Sequence, residues 1–385
     1  MLPFIACLLL PAAVLAAEPA VTDLFRGSGH APDHTYRIPS LAVTPKGALL
    51  AFAELRKNNG GDTGDIDIVL RRSDDGGKTW KPMQVIADFG MDTIGNATPI
   101  VDQRTGRITV LAQWNRLPER KLAPGFGEDS RRLYQLHSDD DGMTWSRPEN
   151  ITEQVKQPSW SWLATGPGAG IVLTRGTHKG RYVAGINHRE TAGDAPGYYA
   201  HAIYSDDSGK TWKSSRTYAS RHTNECEIAE LTDGSLMLNM RNHGSNRRDR
   251  AIAISKDGGE TWEDTRWDAN LPEPQCMGSI RRATWPSDFK PGLILFSNPA
   301  SRKSRQDLIL RGSLDEGVTW PLAKLIKSGD AAYSHLATLP DGTIAIAYET
   351  DRYSRIALTT IQPADLQSAP EVANPDGTLK ENAAR

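Results

Sequence analysis

Three arginines stand in comparable settings far apart in the chain: Arg37 in Tyr36-Arg37-Ile38-Pro39, Arg241 in Asn239-Met240-Arg241-Asn242 and Arg305 in Ser304-Arg305-Gln306-Asp307. Each falls near a strand end or in a loop. A lone surface arginine is ordinarily a solvated charge. Brought together, three guanidiniums repel one another unless they share an anion, and a carboxylate matches the planar fork bidentately. The chemistry open to such a cluster is recognition of an acid. Arg56, at the end of an expected strand over 48–55, leads into the Gly-rich loop Asn58-Asn59-Gly60-Gly61-Asp62-Thr63-Gly64-Asp65. Such a loop is exposed and suited to carrying function, with an ordinary polar hairpin as the alternative.

The elements that must position these residues are marked by a repeat. Ser73-Asp74-Asp75-Gly76-Gly77-Lys78-Thr79-Trp80 returns as Ser-x-Asp-x-Gly-x-Thr-Trp from Ser138, Ser205, Ser255 and Ser313, and five of the ten tryptophans close an octet. Asp and Ser cap nearby backbone N–H groups, and Gly supplies left-handed dihedrals. These aspartates therefore read as staples of a turn, not as catalysts. Apolar strand-like segments precede every octet, such as Ile68-Val69-Leu70 and Ala251-Ile252-Ala253-Ile254. Strand, tight turn and strand at this period predict an all-β, six-bladed β-propeller of four-stranded blades. One blade must then lack the octet and be built by both chain ends, with the strand from Val21 closing the ring.

The octet is the Asp-box of sialidases and a few other propeller families, and the remaining motifs make the resemblance specific. Arg37-Ile38-Pro39 resembles the sialidase Arg-Ile-Pro motif, and Arg37, Arg241 and Arg305 match that family's arginine triad, which implies a grip on the carboxylate of sialic acid. Asn224-Glu225-Cys226-Glu227 resembles the catalytic glutamate stretch, and Tyr333-Ser334-His335-Leu336 the nucleophile stretch. Asp62 fits the acid/base aspartate, and Glu349 the glutamate that orients Arg37. Sialidases are the tyrosine exception among retaining glycosidases. A carboxylate on the anomeric carbon repels a negative nucleophile, whereas a phenol stays neutral until Glu225 takes its proton. Arg56, Met91, Asp92 and Trp114 are the candidates for the rest of the sugar, Met91 and Trp114 as an apolar wall. Taken alone, Tyr333 reads as a core tyrosine. Strand alternation puts Glu225 and Glu227 on one face, Glu230 is a further rival, and Arg302 competes with Arg305. His335 stands where many relatives carry an aspartate.

The 385 residues carry a net charge of -2, which argues against a nucleic-acid partner. Residues 1–17 are apolar and end in small side chains, as in a secretory signal, although no Lys or Arg precedes the apolar run. That stretch is short for a membrane span. The expected organisation is a signal over 1–17, a propeller over 18–365 and a polar tail over 366–385, in a secreted or periplasmic monomer. Cys226 and Cys276 form either one disulfide or two buried thiols, and no metal or cofactor is expected. The resemblance implies a retaining exo-sialidase acting on sialylated glycoconjugates. The alternatives are a trans-type sialidase with the same site and a non-catalytic sugar-binding propeller.

Overall fold

The computed structural model describes residues 19–27, 34–58, 60–190 and 197–368. The signal expected over 1–17 and the tail beyond 368 lie outside them.

β1 (Val21–Arg26) stands apart from its sequence neighbours. The first four-stranded unit comprises β2 (Thr35–Val43), β3 (Leu49–Arg56), β4 (Ile66–Ser73) and β5 (Gln84–Ala87). The second comprises β6 (Thr93–Val101), β7 (Ile108–Asn115), β8 (Arg132–Ser138) and β9 (Glu149–Asn150). In the third, β10 (Trp160–Thr165) and β11 (Ile171–Val172) both pair with β12 (Tyr182–Glu190), followed by β13 (Gly197–Ser205) and β14 (Lys213–Ser214). The fourth is β15 (Thr223–Glu230), β16 (Leu236–Asn242), β17 (Asp249–Ser255) and β18 (Arg266–Pro272). The fifth runs β19 (Ser279–Thr284), β20 (Leu293–Pro299), β21 (Gln306–Ser313) and the first half of β22 (Leu322–Thr338). The second half of β22 opens the sixth unit with β23 (Ile344–Thr350) and β24 (Arg355–Ile361), and β1 completes it, Val21 lying opposite Thr359. The N-terminal strand thus joins the last unit, as expected. A short strand β25 (Gln367–Ser368) pairs with Leu322 and Ala323, so regular pairing continues past the boundary drawn at 365.

Apolar cores fill the seams between successive units. Leu50 and Phe52 meet Val110 and Ala112 between the first and second, while Leu24, Ala345 and Leu358 meet Leu49 and Val69 between the sixth and first. The chain is therefore a β-propeller closed on itself. Each octet sits at the turn between the third and fourth strands of its unit, and its tryptophan packs into the seam with the preceding unit: Trp80, Trp145, Trp212, Trp262 and Trp320 each enter a different core. The sixth unit has no octet. In every octet the aspartate carboxylate accepts from the Thr backbone N–H and hydroxyl, as Asp257 does from Thr261 at 2.9 and 2.6 Å. The fourth and fifth octet residues are both left-handed. Only the fifth is always glycine; the fourth is Asp141, Ser208 or Glu316 in three units.

Cys226 and Cys276 are free, buried thiols. No helix among the described residues is long and apolar enough to cross a membrane.

Candidate active site

The innermost strands do not run straight. Register breaks fall between Arg37 and Ser40 in β2, Gly95 and Thr98 in β6, Thr223 and Cys226 in β15, and Ala331 and Ser334 in β22. A bulge bends its strand and re-aims a side chain. Here the breaks turn residues near the strand starts toward one mouth of the central channel. They line a cavity of about 240 Å³ that includes Arg37, Arg56, Asp62, Glu225, Arg241, Arg305 and Tyr333.

Buried Glu349 holds one side of that cavity. Its Oε1 accepts from Arg37 Nε at 2.7 Å and from the Ile38 backbone N–H at 2.8 Å, while Oε2 accepts from the Tyr333 N–H at 3.2 Å. Ile38 has φ 57°. A β-branched residue avoids that left-handed region, which costs of order 1–3 kcal/mol, so the bond to Glu349 holds a conformation the chain would not choose alone.

Tyr333 is the centre. Its hydroxyl donates to Glu225 Oε1, and Arg241 Nη1 donates both to that hydroxyl at 2.9 Å and to Glu225 Oε2 at 2.5 Å. The guanidiniums of Arg305 and Arg37 lie 5.2 and 5.5 Å from the centre of its ring. Burial, and then the Glu225 charge, push the Tyr333 phenol well above its usual range, so it is protonated at neutral pH. Arg305 donates only to Tyr353 Oη at 3.2 Å and to the Gln275 carbonyl at 3.1 Å, and has no carboxylate partner among the described residues. Three guanidiniums thus converge on one tyrosine and leave room for an anion.

The rivals are accounted for. Arg302 points away and pairs with Asp249 at 2.6 Å. Glu230 accepts from Thr174 and the Arg175 N–H. Glu227, two residues deeper along β15, accepts from the Ala169 N–H, Ser279 Oγ and the Ile280 N–H, and meets His335 Nε2 at 2.8 Å. The Leu41 N–H donates to His335 Nδ1 at 2.9 Å, which leaves Nε2 carrying the proton that bonds Glu227. His335 is therefore the partner of Glu227 inside the channel.

Opposite Tyr333, Arg56 donates through Nε and Nη2 to Glu54 at 2.9 and 2.6 Å and through Nη1 to Asp62 at 2.7 Å. The Asp62 side chain is 87% exposed. Desolvation would raise its pKa, but Arg56, joined by the charges of Arg37 and Arg131, outweighs this and holds the carboxyl below the usual range. As it stands, Asp62 is an ionised carboxylate. An acid role requires that ion pair to loosen.

Met91, Asp92 and Trp114 do not line the cavity. Alternation along β7 turns Gln113 to the cavity and Trp114 into the seam with Phe52 and Leu70. Met91 is 73% exposed elsewhere, and the Asp92 carboxylate faces Arg116 at 3.4 Å. The far wall is instead Asn96, Arg131, Trp162 and Tyr198, with Arg131 stacked 3.5 Å from the Trp162 ring centre and Trp162 Nε1 donating to Asn187 at 2.9 Å. Trp162 lies in strand β10, just before a turn-rich, Gly-rich stretch. Arg131 and Tyr198 carry no comparable mark in the sequence.

Residues 47–346 match the BNR repeat-like domain family. The chain is 36% identical over 365 residues to a sialidase of Bacteroides fragilis, aligned over 89% of this chain and 64% of that relative's own length. It is 30% identical over 348 residues to an exo-alpha-sialidase of Aspergillus fumigatus, over 83% of this chain and 80% of the relative. Among solved structures, the Hadza microbial sialidase Hz136 superposes with a TM-score of 0.78 at 34% identity, over 86% of this chain and 66% of that one.

Proposed function

The chain belongs to the sialidase family, and on that footing we propose that it is a retaining exo-α-sialidase, releasing terminal sialic acid from glycoconjugates through a covalent tyrosyl intermediate. The observation that carries this reading is the Tyr333 hydroxyl bonded to Glu225 among three guanidiniums. Arg37, Arg241 and Arg305 take the substrate carboxylate. That places the anomeric carbon beside the phenol. Tyr333 Oη then forms a bond to that carbon as its proton passes to Glu225 and the glycosidic oxygen leaves with a proton from Asp62. In the second half, water attacks the same carbon and gives its proton to Asp62, while Glu225 returns a proton to the departing phenolate. Arg241, bonded to both Glu225 and Tyr333, stabilises the charge that moves between them.

The test is release of 4-methylumbelliferone from its sialic acid glycoside. We expect clear turnover by the wild type and a loss of about a hundredfold or more in Tyr333→Phe, the size typical of removing a nucleophile or its base. A folded wild type silent from pH 4 to 8 sinks the enzyme reading and favours the sugar-binding propeller. Sialic acid recovered bonded to an acceptor, in place of free sialic acid, selects the trans-type reading.

A further inference from the structure

The inner strands lead away from the site, and residues three to five positions further along β2, β6 and β15 than Arg37, Asn96 and Glu225 line the opposite mouth of the channel. There they enclose a second cavity of about 540 Å³, within the range of small-molecule sites. Its walls are largely apolar: Leu41, Val101, Ile171, Leu173 and Ile228. Arg281 of β19 also lines it, and its guanidinium has no hydrogen bond or ion pair among the described residues; the one carboxylate that acts on it is Glu227. Glu227 is already committed to four donors, from Ala169, Ser279, Ile280 and His335.

Most neighbouring charges at this mouth are matched; exposed Lys179, which also lines the cavity, has no ion pair among the described residues. Arg104 pairs with Asp102 at 2.9 Å, Arg282 pairs with Glu316, and Arg175 lies 4.1 Å from the Trp285 ring centre. Glu230 is filled by Thr174 and Arg175. Arg281 is half-buried, and a guanidinium that faces a cavity without a carboxylate partner gains from an anion that enters. The apolar stretch of wall favours an acid with an apolar body over a hydroxyl-rich one, whose hydroxyls would lose water against it without replacement bonds.

We propose that this cavity is a second binding site, which takes an organic monocarboxylate with an apolar body, its carboxylate on Arg281 and its chain against Leu41, Ile171 and Ile228. Octanoate is the probe, titrated calorimetrically into the full chain. Wild type binds it with one site. Arg281→Met, which keeps the length and removes the charge, weakens binding by about ten- to a hundredfold, the worth of a hydrogen-bonded charge. Ile171→Trp fills the cavity while leaving Arg281 intact and weakens binding comparably, and octanoate raises the melting temperature of wild type but not of this variant. Arg305→Met, at the first site, binds as wild type does. Absence of binding by wild type, unchanged binding by Ile171→Trp, or loss in Arg305→Met with none in Arg281→Met overturns the proposal, the last by placing the acid in the arginine triad.

Discussion

In the proposed reaction Tyr333 and Glu225 act as a pair. A phenol held well above its usual range cannot ionise at neutral pH, so its reactivity depends on an adjacent base. Asp62 poses the opposite problem, because Arg56 keeps it ionised when proton donation needs the neutral acid. Under the proposed mechanism, a substrate that covers this exposed carboxylate raises its pKa by desolvation. Arg56→Met removes the cation that holds it down. The expected outcome is an alkaline limb of the kcat/KM profile shifted to higher pH, on top of a lower maximum. An unshifted limb would mean that Asp62 is not the acid.

At the scale of elements, the octet serves the seam as much as the turn. Its eight residues close a hairpin by bonds within themselves, and its tryptophan then leaves the hairpin for the neighbouring unit. Trp212, 3% exposed, packs with Leu111 and Leu133 of the second unit and donates from Nε1 to Gln135 at 2.8 Å. Trp212→Ala opens a cavity in that seam and orphans the Gln135 carbonyl, so urea denaturation should show a loss of about 3–5 kcal/mol. The bulges do the complementary work at the channel. Without the break at Arg37, strict alternation in β2 would not bring both the Arg37 side chain and the Ile38 N–H onto Glu349.

For the whole molecule, stability rests on closing the ring, and one unit brings an acid-sensitive core. His188 and His201 of the third unit lie buried with their Nδ1 atoms 3.3 Å apart, among Trp160, Tyr199 and Tyr218. Among the described residues Glu190 is the carboxylate that reaches them, 3.5 Å from His188 Nε2. Burial pushes both imidazoles down, His201 to about 3. The unfolded chain therefore takes up protons below about pH 6.5 that the fold refuses. Stability falls as pH falls through that region, by up to about 1.4 kcal/mol per unit for each histidine, until the folded imidazole itself titrates. His201→Phe should cut that slope by about half between pH 6 and 4, read from urea midpoints across pH. An unchanged slope would locate acid sensitivity elsewhere.

Taken alone, the sequence determined whatever is written in contiguous residues. The octet contains its own hydrogen-bond partners, so five of them announce the propeller, and the missing sixth announces a unit built from both chain ends. The family motifs around Arg37, Glu225 and Tyr333 were legible for the same reason. Whatever depends on which way a side chain faces was left to the tertiary structure. Glu225 and Glu227 share a strand face, and depth in the channel separates them, with His335 and Ser279 claiming the deeper one. Trp114 looked like a wall for the sugar, yet the register of β7 gave the channel to Gln113 and the seam to Trp114. Arg131, Trp162 and Tyr198 meet only because separate strands converge at one mouth. Closure of the ring puts them there, and no local pattern encodes it.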